Sequence, residues 1–408
     1  MRRVAAAVAA LLLCPLAQPG SAAPCPGMTR SGAWSVLTVP GNQAFAVAAT
    51  RGRPDTLYSA AQRVLSRSTD GGCTWQTAFS LDTLPGSSLA KTDPVYSITS
   101  LSVGPSHGSV PGTVWALVTD TSASITVASP VAVVESRDGG ATWTVHEPGT
   151  GNAATYPRCT TFARLAAGPR AGTAYLQCTE DSLALFLLLV GKCRTSFHVT
   201  RDYGVTWQTV YGSVADPGAA AAGDTSLGCQ PTLVGYPVPD RVKERVVWTM
   251  RNDAVMRSDQ DGAAPVPFGK SQAVGDYANG FGVGPLASGA PLAVLLTNTR
   301  LMATAGGPAV AFAPMPMPTA ERGVPVAGEV LDGTDRVFVA YYDGRNRAQA
   351  WTYDYRRRTW HRLAPPPKRP DKREAWTSGY NLAVTEDPAS SYLYVQYTYE
   401  TRVLRHAR

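Results

Sequence analysis

Short apolar runs rich in Val, Ala, Leu and Thr recur along this chain, separated by clusters of Gly, Pro, Asp and Ser. Residues 44–48, 55–58 and 63–67 are three such runs, and 74–76 begins a fourth. Runs of this length bounded by turn residues predict β-strands. The set returns at 96–98, 113–117, 131–134 and 142–145, and a third set fills 162–210. Four short strands per unit is the content of one β-propeller blade.

A second repeat sits inside the first. Ser68-Thr69-Asp70-Gly71-Gly72-Cys73-Thr74-Trp75, Ser136-Arg137-Asp138-Gly139-Gly140-Ala141-Thr142-Trp143 and Thr200-Arg201-Asp202-Tyr203-Gly204-Val205-Thr206-Trp207 all read Ser/Thr-x-Asp-x-Gly-x-Thr-Trp. Their Asp residues lie 68 and 64 positions apart. A hairpin between two outer strands needs positive φ, which glycine supplies without strain. The Asp carboxylate is suited to accept amide hydrogens of its own turn, with the Ser or Thr hydroxyl joining that network. The Trp then starts the next strand and is expected to bury its ring between blades. The boxes at 68–75, 136–143 and 200–207 therefore read as structural: Ser68, Asp70, Gly72 and Trp75; Ser136, Asp138, Gly140 and Trp143; Thr200, Asp202, Gly204 and Trp207.

This pattern resembles the Asp-box (BNR) repeat of sialidases, sortilin-type receptors and related secreted propellers. The resemblance implies an all-β propeller. Later units lose the box but keep the rhythm of strands, with turn markers at Asp261, Gly306 and Asp354, spaced by 59, 45 and 48 residues from Asp202 onward. After the sixth unit three strands remain, at 381–384, 392–397 and 401–404. The missing outer strand is supplied by residues 31–37, where Ser31-Gly32-Ala33-Trp34-Ser35-Val36-Leu37 echoes Gly140-Ala141-Thr142-Trp143-Thr144-Val145. Closure of this kind removes free sheet edges. The count predicts a seven-bladed propeller with an N-terminal strand closing the last blade; six blades, as in sialidases, is the alternative.

The first residues change where such a ring would work. Arg2 and Arg3 precede an apolar run at 4–13, and Gly20-Ser21-Ala22 offers small side chains for cleavage. That order predicts a signal peptide over 1–22 and a single secreted propeller domain over 23–408. The apolar run is too short for a membrane span, as is the one at 183–190. Cys14 follows Leu11-Leu12-Leu13, which lacks the small residues of a lipobox.

Six cysteines then remain, and six allow fifteen pairings. The blade layout places Cys25 and Cys73 at one end of the ring beside its closure. Cys159 and Cys178 flank the turn at Gly168-Pro169, and Cys193 and Cys229 follow at the same end. The expected bridges are Cys25–Cys73, Cys159–Cys178 and Cys193–Cys229, with a swap among the last four left open. Histidine is scarce, at five residues, and no Cys-x-x-Cys occurs, so neither a metal site nor a cofactor is expected.

The net charge of +7 falls to about +5 without Arg2 and Arg3. Only mild attraction to anionic surfaces follows, and no nucleic-acid partner is expected. The segment 356–373 concentrates eight Lys and Arg residues around Trp360 and Pro365-Pro366-Pro367. It reads first as a solvated loop between blades, with docking of an acidic polymer as the alternative.

The resemblance makes sialidase chemistry the first to test. Sialidases hold the substrate carboxylate with three arginines, the first in a Phe/Tyr-Arg-Ile-Pro motif. The nearest text here, Arg51-Gly52-Arg53-Pro54, departs from that motif and falls on the box face, whereas sialidase catalysis occupies the other. That other face collects Arg158, Arg251, Asp253, Asp276, Arg322, Asp343, Arg345 and Tyr380 as candidate ligand contacts, with Asp93 and Tyr277 nearby. No catalytic residue can be assigned among them from sequence. Gly-x-Ser-x-Gly, His-Glu-x-x-His and phosphate-loop motifs do not occur. The expectation is a monomeric, non-catalytic propeller that binds an extracellular glycan or protein; the alternative is a glycoside hydrolase of exo-sialidase-like type. A narrower comparison is with Asp-box propellers that assist photosystem assembly, although no feature of the chain points to pigment partners.

Overall fold

The computed structural model describes residues 25, 28–40, 46–50, 53–84, 89, 96–120, 129–146, 162–180, 194–215, 234–240, 243–251, 254–263, 265–268, 278–297, 300–305, 312–316, 324–331, 333–342, 348–364, 392–396 and 402–407. They form seven antiparallel sheets of four strands each, the blades of a seven-bladed propeller. Blade 1 holds Ala46–Thr50, Arg53–Ala61, Val64–Ser68 and Gln76–Ser80. Blade 2 holds Tyr96–Val103, Val114–Asp120, Ser129–Ser136 and Thr144–His146, and blade 3 Phe162–Ala167, Ala174–Glu180, Arg194–Thr200 and Gln208–Ala215. Blades 4, 5 and 6 start at Val234–Pro239, Ala278–Pro285 and Val324–Leu331 and end at Val266–Pro267, Ala313–Pro314 and Thr359–Arg362. No helix among the described residues is long and apolar enough to cross a membrane.

The second strand of a blade is covered by neighbouring blades on both faces, so it reads as a continuous apolar run instead of an alternating one. Val114, Trp115, Ala116, Leu117 and Val118 are all fully buried, and so are Leu292, Ala293 and Val294. The core accordingly lies between blades. Tyr58, Leu65 and Phe79 of blade 1 pack on Ile98, Val114 and Ala116 of blade 2. Leu292, Val294 and Leu296 of blade 5 meet Val330, Val337 and Val339 of blade 6 in the same way. The first strands of these two blades come so close that a Cβ on Gly282 would lie 2.3 Å from the carbonyl oxygen of Gly328. A side chain there would push the blades apart.

Blade 7 closes the ring. Its strand order is Thr29–Ser31, Trp34–Thr38, Arg402–Ala407, Tyr392–Gln396. The register sets Trp34 opposite His406, Val36 opposite Leu404 and Thr38 opposite Arg402. Residues 31–37, read from sequence as one outer strand, are divided by a turn at Gly32 and Ala33, where Gly32 has φ +62. The N-terminal part therefore contributes two strands to this sheet. The strand expected at 381–384 lies outside the described residues. Trp34 is fully buried and donates its indole N–H to the carbonyl of Ala364, 2.6 Å away, at the end of blade 6. The Cys25–Cys73 disulfide ties the start of the closing strands to the box turn of blade 1, across 48 residues of sequence.

Candidate functional site

The turns between third and fourth strands share one face of the ring with the turns between first and second strands. On this box face the three boxes adopt one hydrogen-bonding scheme. The Ser or Thr hydroxyl donates to Asp Oδ1 at 2.8, 2.9 and 2.9 Å for Ser68, Ser136 and Thr200. The same hydroxyl oxygen accepts the amide of the glycine four residues on, Gly72, Gly140 or Gly204. The threonine two positions after each glycine, Thr74, Thr142 or Thr206, donates its amide to Oδ1 and its hydroxyl to Oδ2, the latter at 2.6 Å in all three turns. Both oxygens of Asp70, Asp138 and Asp202 are thus occupied within their own turns.

Titration follows from that arrangement. Partial burial alone would raise these carboxyls, but donors around Asp138 from Thr142, Ser136 and Ala141 overcome it and hold the group down to about 2. Asp70 and Asp202 are lowered by the same balance. A group kept ionised in this way is a fixed anion, unsuited to act as a general acid near neutral pH. Gly140 shows why the motif specifies glycine: its φ is +91, and a Cβ on it would lie only 3.3 Å from the Tyr58 ring. Trp207 is buried, whereas Trp75 and Trp143 are half-buried and donate their indole N–H to Gly72 and Gly140 carbonyls at 3.0 and 3.2 Å.

Four seams between blades add polar contacts at this face. The Tyr58 hydroxyl of blade 1 donates to the Gly139 carbonyl of blade 2 at 2.7 Å. The Tyr175 hydroxyl of blade 3 donates to Asp261 Oδ1 of blade 4 at 3.1 Å, and burial raises the phenol strongly. Asp261, whose side chain is only 4 % exposed, also accepts from Arg201 and from Arg245 Nε. Between blades 2 and 3 the fully buried Glu135 accepts from Arg137 Nε at 3.0 Å, and the Arg137 guanidinium lies 4.0 Å from the Tyr203 ring centre. Beside the closing disulfide, buried Arg405 donates to the Gly71 carbonyl at 3.2 Å and stands 3.5 Å from Cys25 Sγ. These groups join neighbouring blades, and sequence reasoning passed over them. The second strands of five blades carry a recurring aromatic, at Tyr58, Trp115, Tyr175, Trp248 and Phe338, but nothing in the sequence says which of these rings meets a polar group of the next blade.

Of the residues nominated on the opposite face, Arg158, Asp253, Asp276, Arg322, Asp343, Arg345 and Tyr380 lie outside the described residues, as do Asp93 and Tyr277. Arg251 ends the strand Val247–Arg251. Arg53, from the segment compared with the sialidase motif, donates to the Ser109 carbonyl of blade 2 at 2.7 Å, a contact between blades. Cys178 is disulfide-bonded, and Cys159, Cys193 and Cys229 lie outside the described residues. No group of three or more His, Cys, Asp or Glu suited to a metal ion occurs among the described residues.

No family model matches this chain, and no curated protein matches it. Solved structures match it in fold. YCF48 from Cyanidioschyzon merolae is 14% identical with a TM-score of 0.53, covering 92% of this chain and 98% of its own. A structure of YCF48 bound to D1 peptide is 12% identical with a TM-score of 0.54, covering 93% of this chain and 97% of its own. The GH74 xyloglucanase from Xanthomonas campestris is 13% identical with a TM-score of 0.54 over 90% of this chain, but only 52% of the enzyme. At such identities the likeness is one of fold.

Proposed function

We propose that this chain is a non-catalytic binding propeller of the Asp-box type, exported by a signal peptide over 1–22 and acting as a monomer on a glycan or protein outside the cytoplasm. The observation that carries the reading is the state of the box acids. Asp70, Asp138 and Asp202 have both oxygens occupied by their own turns, so the repeated carboxylates build the scaffold instead of reacting. The Cys25–Cys73 bridge fits an oxidising compartment. The full-length likeness in fold to a propeller solved with a peptide adds support, because that protein presents the same architecture to a polypeptide.

The ligand face of this reading comprises Arg158, Arg251, Asp253, Asp276, Arg322, Asp343, Arg345 and Tyr380. The test is a fluorogenic sialoside assay on residues 23–408, run beside an Arg251→Ala variant and followed by glycan-array and cell-surface capture. The expected outcome is no turnover together with saturable binding. Hydrolysis that Arg251→Ala abolishes would replace this reading with the hydrolase.

A further inference from the structure

The outer rim of blade 6 is charged unlike the rest of the described surface. Its third and fourth strands, Ala348–Asp354 and Thr359–Arg362, are joined by a turn containing Arg356, Arg357 and Arg358, all exposed. Arg336 stands opposite Asp354 in the ladder and is exposed at the same end, and Arg362 is exposed on the outermost strand. Asp354 is buried and accepts the Arg357 amide at 2.8 Å, with the Arg357 guanidinium 3.9 Å from its other oxygen. Asp335 is half-buried and accepts the Ala287 amide of blade 5. Every exposed charge among the described residues of this blade is therefore positive, and Arg356 and Arg358 make no ion pair among the described residues. Elsewhere on the described surface exposed acids such as Asp55, Asp82, Glu244 and Asp259 are interspersed with the arginines.

Like charges gathered on one turn and its flanking strands repel one another in the folded state, and a multivalent anion relieves that repulsion while releasing its own counterions. Arg358 occupies φ +56 in this turn, a conformation that glycine adopts more easily, so the cation is kept at a conformational cost. The strands beside the arginines carry packed aromatic rings. Trp360 packs on Tyr353 with ring centres 4.7 Å apart and on Trp351 at 6.2 Å, and its indole N–H donates to the Pro316 carbonyl of blade 5. Arg362 is held over Trp351 and donates to Gln349 Oε1 at 3.0 Å.

We propose that this rim docks a linear anionic glycopolymer, one that bears a fixed phosphate, sulfate or carboxylate charge on each repeat. The inference rests on the binding reading above and gives that binding a site and a chemistry. Guanidinium forks suit each of these anions bidentately, so spacing of charge along the polymer selects the ligand more than the identity of its acid group. The arrangement disfavours an acidic peptide added as a further strand. Three of the arginines sit on the turn beyond the strand end, and the edge itself is only the four residues Thr359–Arg362. Nucleic acid would gain from base stacking, but the aromatic rings here stack on one another.

The test titrates the purified chain with poly(glycerol phosphate), polygalacturonate, poly-L-glutamate and single-stranded DNA at low and near-physiological salt. The rim variant is Arg356→Ser, Arg357→Ser and Arg358→Gly combined. A control with equal charge loss combines Arg30→Ser, Arg170→Ser and Lys243→Ser, all at exposed positions. Expected is salt-sensitive binding of poly(glycerol phosphate), polygalacturonate or both, with the two arms separating phosphate from carboxylate sources. The rim variant should weaken it by about tenfold and flatten its salt dependence, and the control should change it much less. Arg356→Glu alone gives the same readout if the triple variant fails to fold. Equal weakening in both triple variants, or tighter binding of poly-L-glutamate or DNA, overturns the proposal. A rim variant that binds the glycopolymer as wild type does sinks the rim assignment alone; a wild-type chain that binds no glycan or protein sinks the binding reading too.

Discussion

Acidification below about pH 6.5 should weaken this protein because of one buried imidazole. His198 lies in the third strand of blade 3 and is 6 % exposed. Its ring nitrogens lie 3.1 Å from Thr209 Oγ1 and 2.9 Å from Ser196 Oγ. Either hydroxyl can turn to accept or donate, so these contacts tolerate both charge states, and the penalty for charging the ring comes from lost hydration. Burial accordingly pushes the group from 6.5 down to about 4. Between those values the unfolded chain binds the proton and the folded chain does not. Stability therefore falls as pH drops through this window, by roughly 3 kcal/mol when the window has been crossed. That is a large part of the ~5–15 kcal/mol that holds a typical domain together. The assay is urea unfolding of wild type and His198→Gln across pH 7 to pH 4. The variant should begin less stable and show a shallower loss. Parallel losses in the two proteins would refute the assignment. The box aspartates act in a separate window, since their depressed values preserve stability until pH falls below 3.8 toward about 2.

Replacing Cys25 and Cys73 by Ser opens a 48-residue loop, which should cost about 4 kcal/mol on the chain-entropy estimate and appear as an earlier urea midpoint. Trp115→Ala should cost roughly 3–5 kcal/mol, because its ring is fully buried between blades 2 and 3. Trp143→Ala should cost less, its ring being half-buried, and paired thermal melts that reversed this order would contradict the packing described.

The three boxes were legible because a tight turn dictates residue identity locally. Hydroxyl, carboxylate and glycine sit where the backbone needs an acceptor, a second acceptor and positive φ. Blade 4 was harder to read. Ser258 still accepts the Gly262 amide, but the acid has moved to Asp261, which adopts φ +61 and faces Tyr175 and two arginines from outside the turn. Its partners Tyr175 and Arg201 are 86 and 60 residues away, and no local pattern announces them. The closing blade was read as one N-terminal strand because Trp34 mimics a box tryptophan; Gly32 divides it into two. The rim of blade 6 was visible as a run of charge. Its significance depends on burial of Asp354, and burial is a property of the fold.

The closing blade also sets an order of events. Trp34–Thr38 is made before the other six blades and pairs with Arg402–Ala407, made after all of them. Until that partner emerges, the early strands have no sheet to join, and six blades can assemble while the seventh waits. Contacts of such long sequence separation form late and slowly, and an unpaired edge is open to wrong partners meanwhile. Arg405 comes from a strand made after the other six blades, so its guanidinium reaches Gly71 and Cys25 only when the ring shuts. Both cysteines of the Cys25–Cys73 bond precede blade 2, so the bond needs none of the later blades and presents the waiting strands against blade 1 as a prepared edge for the final strand.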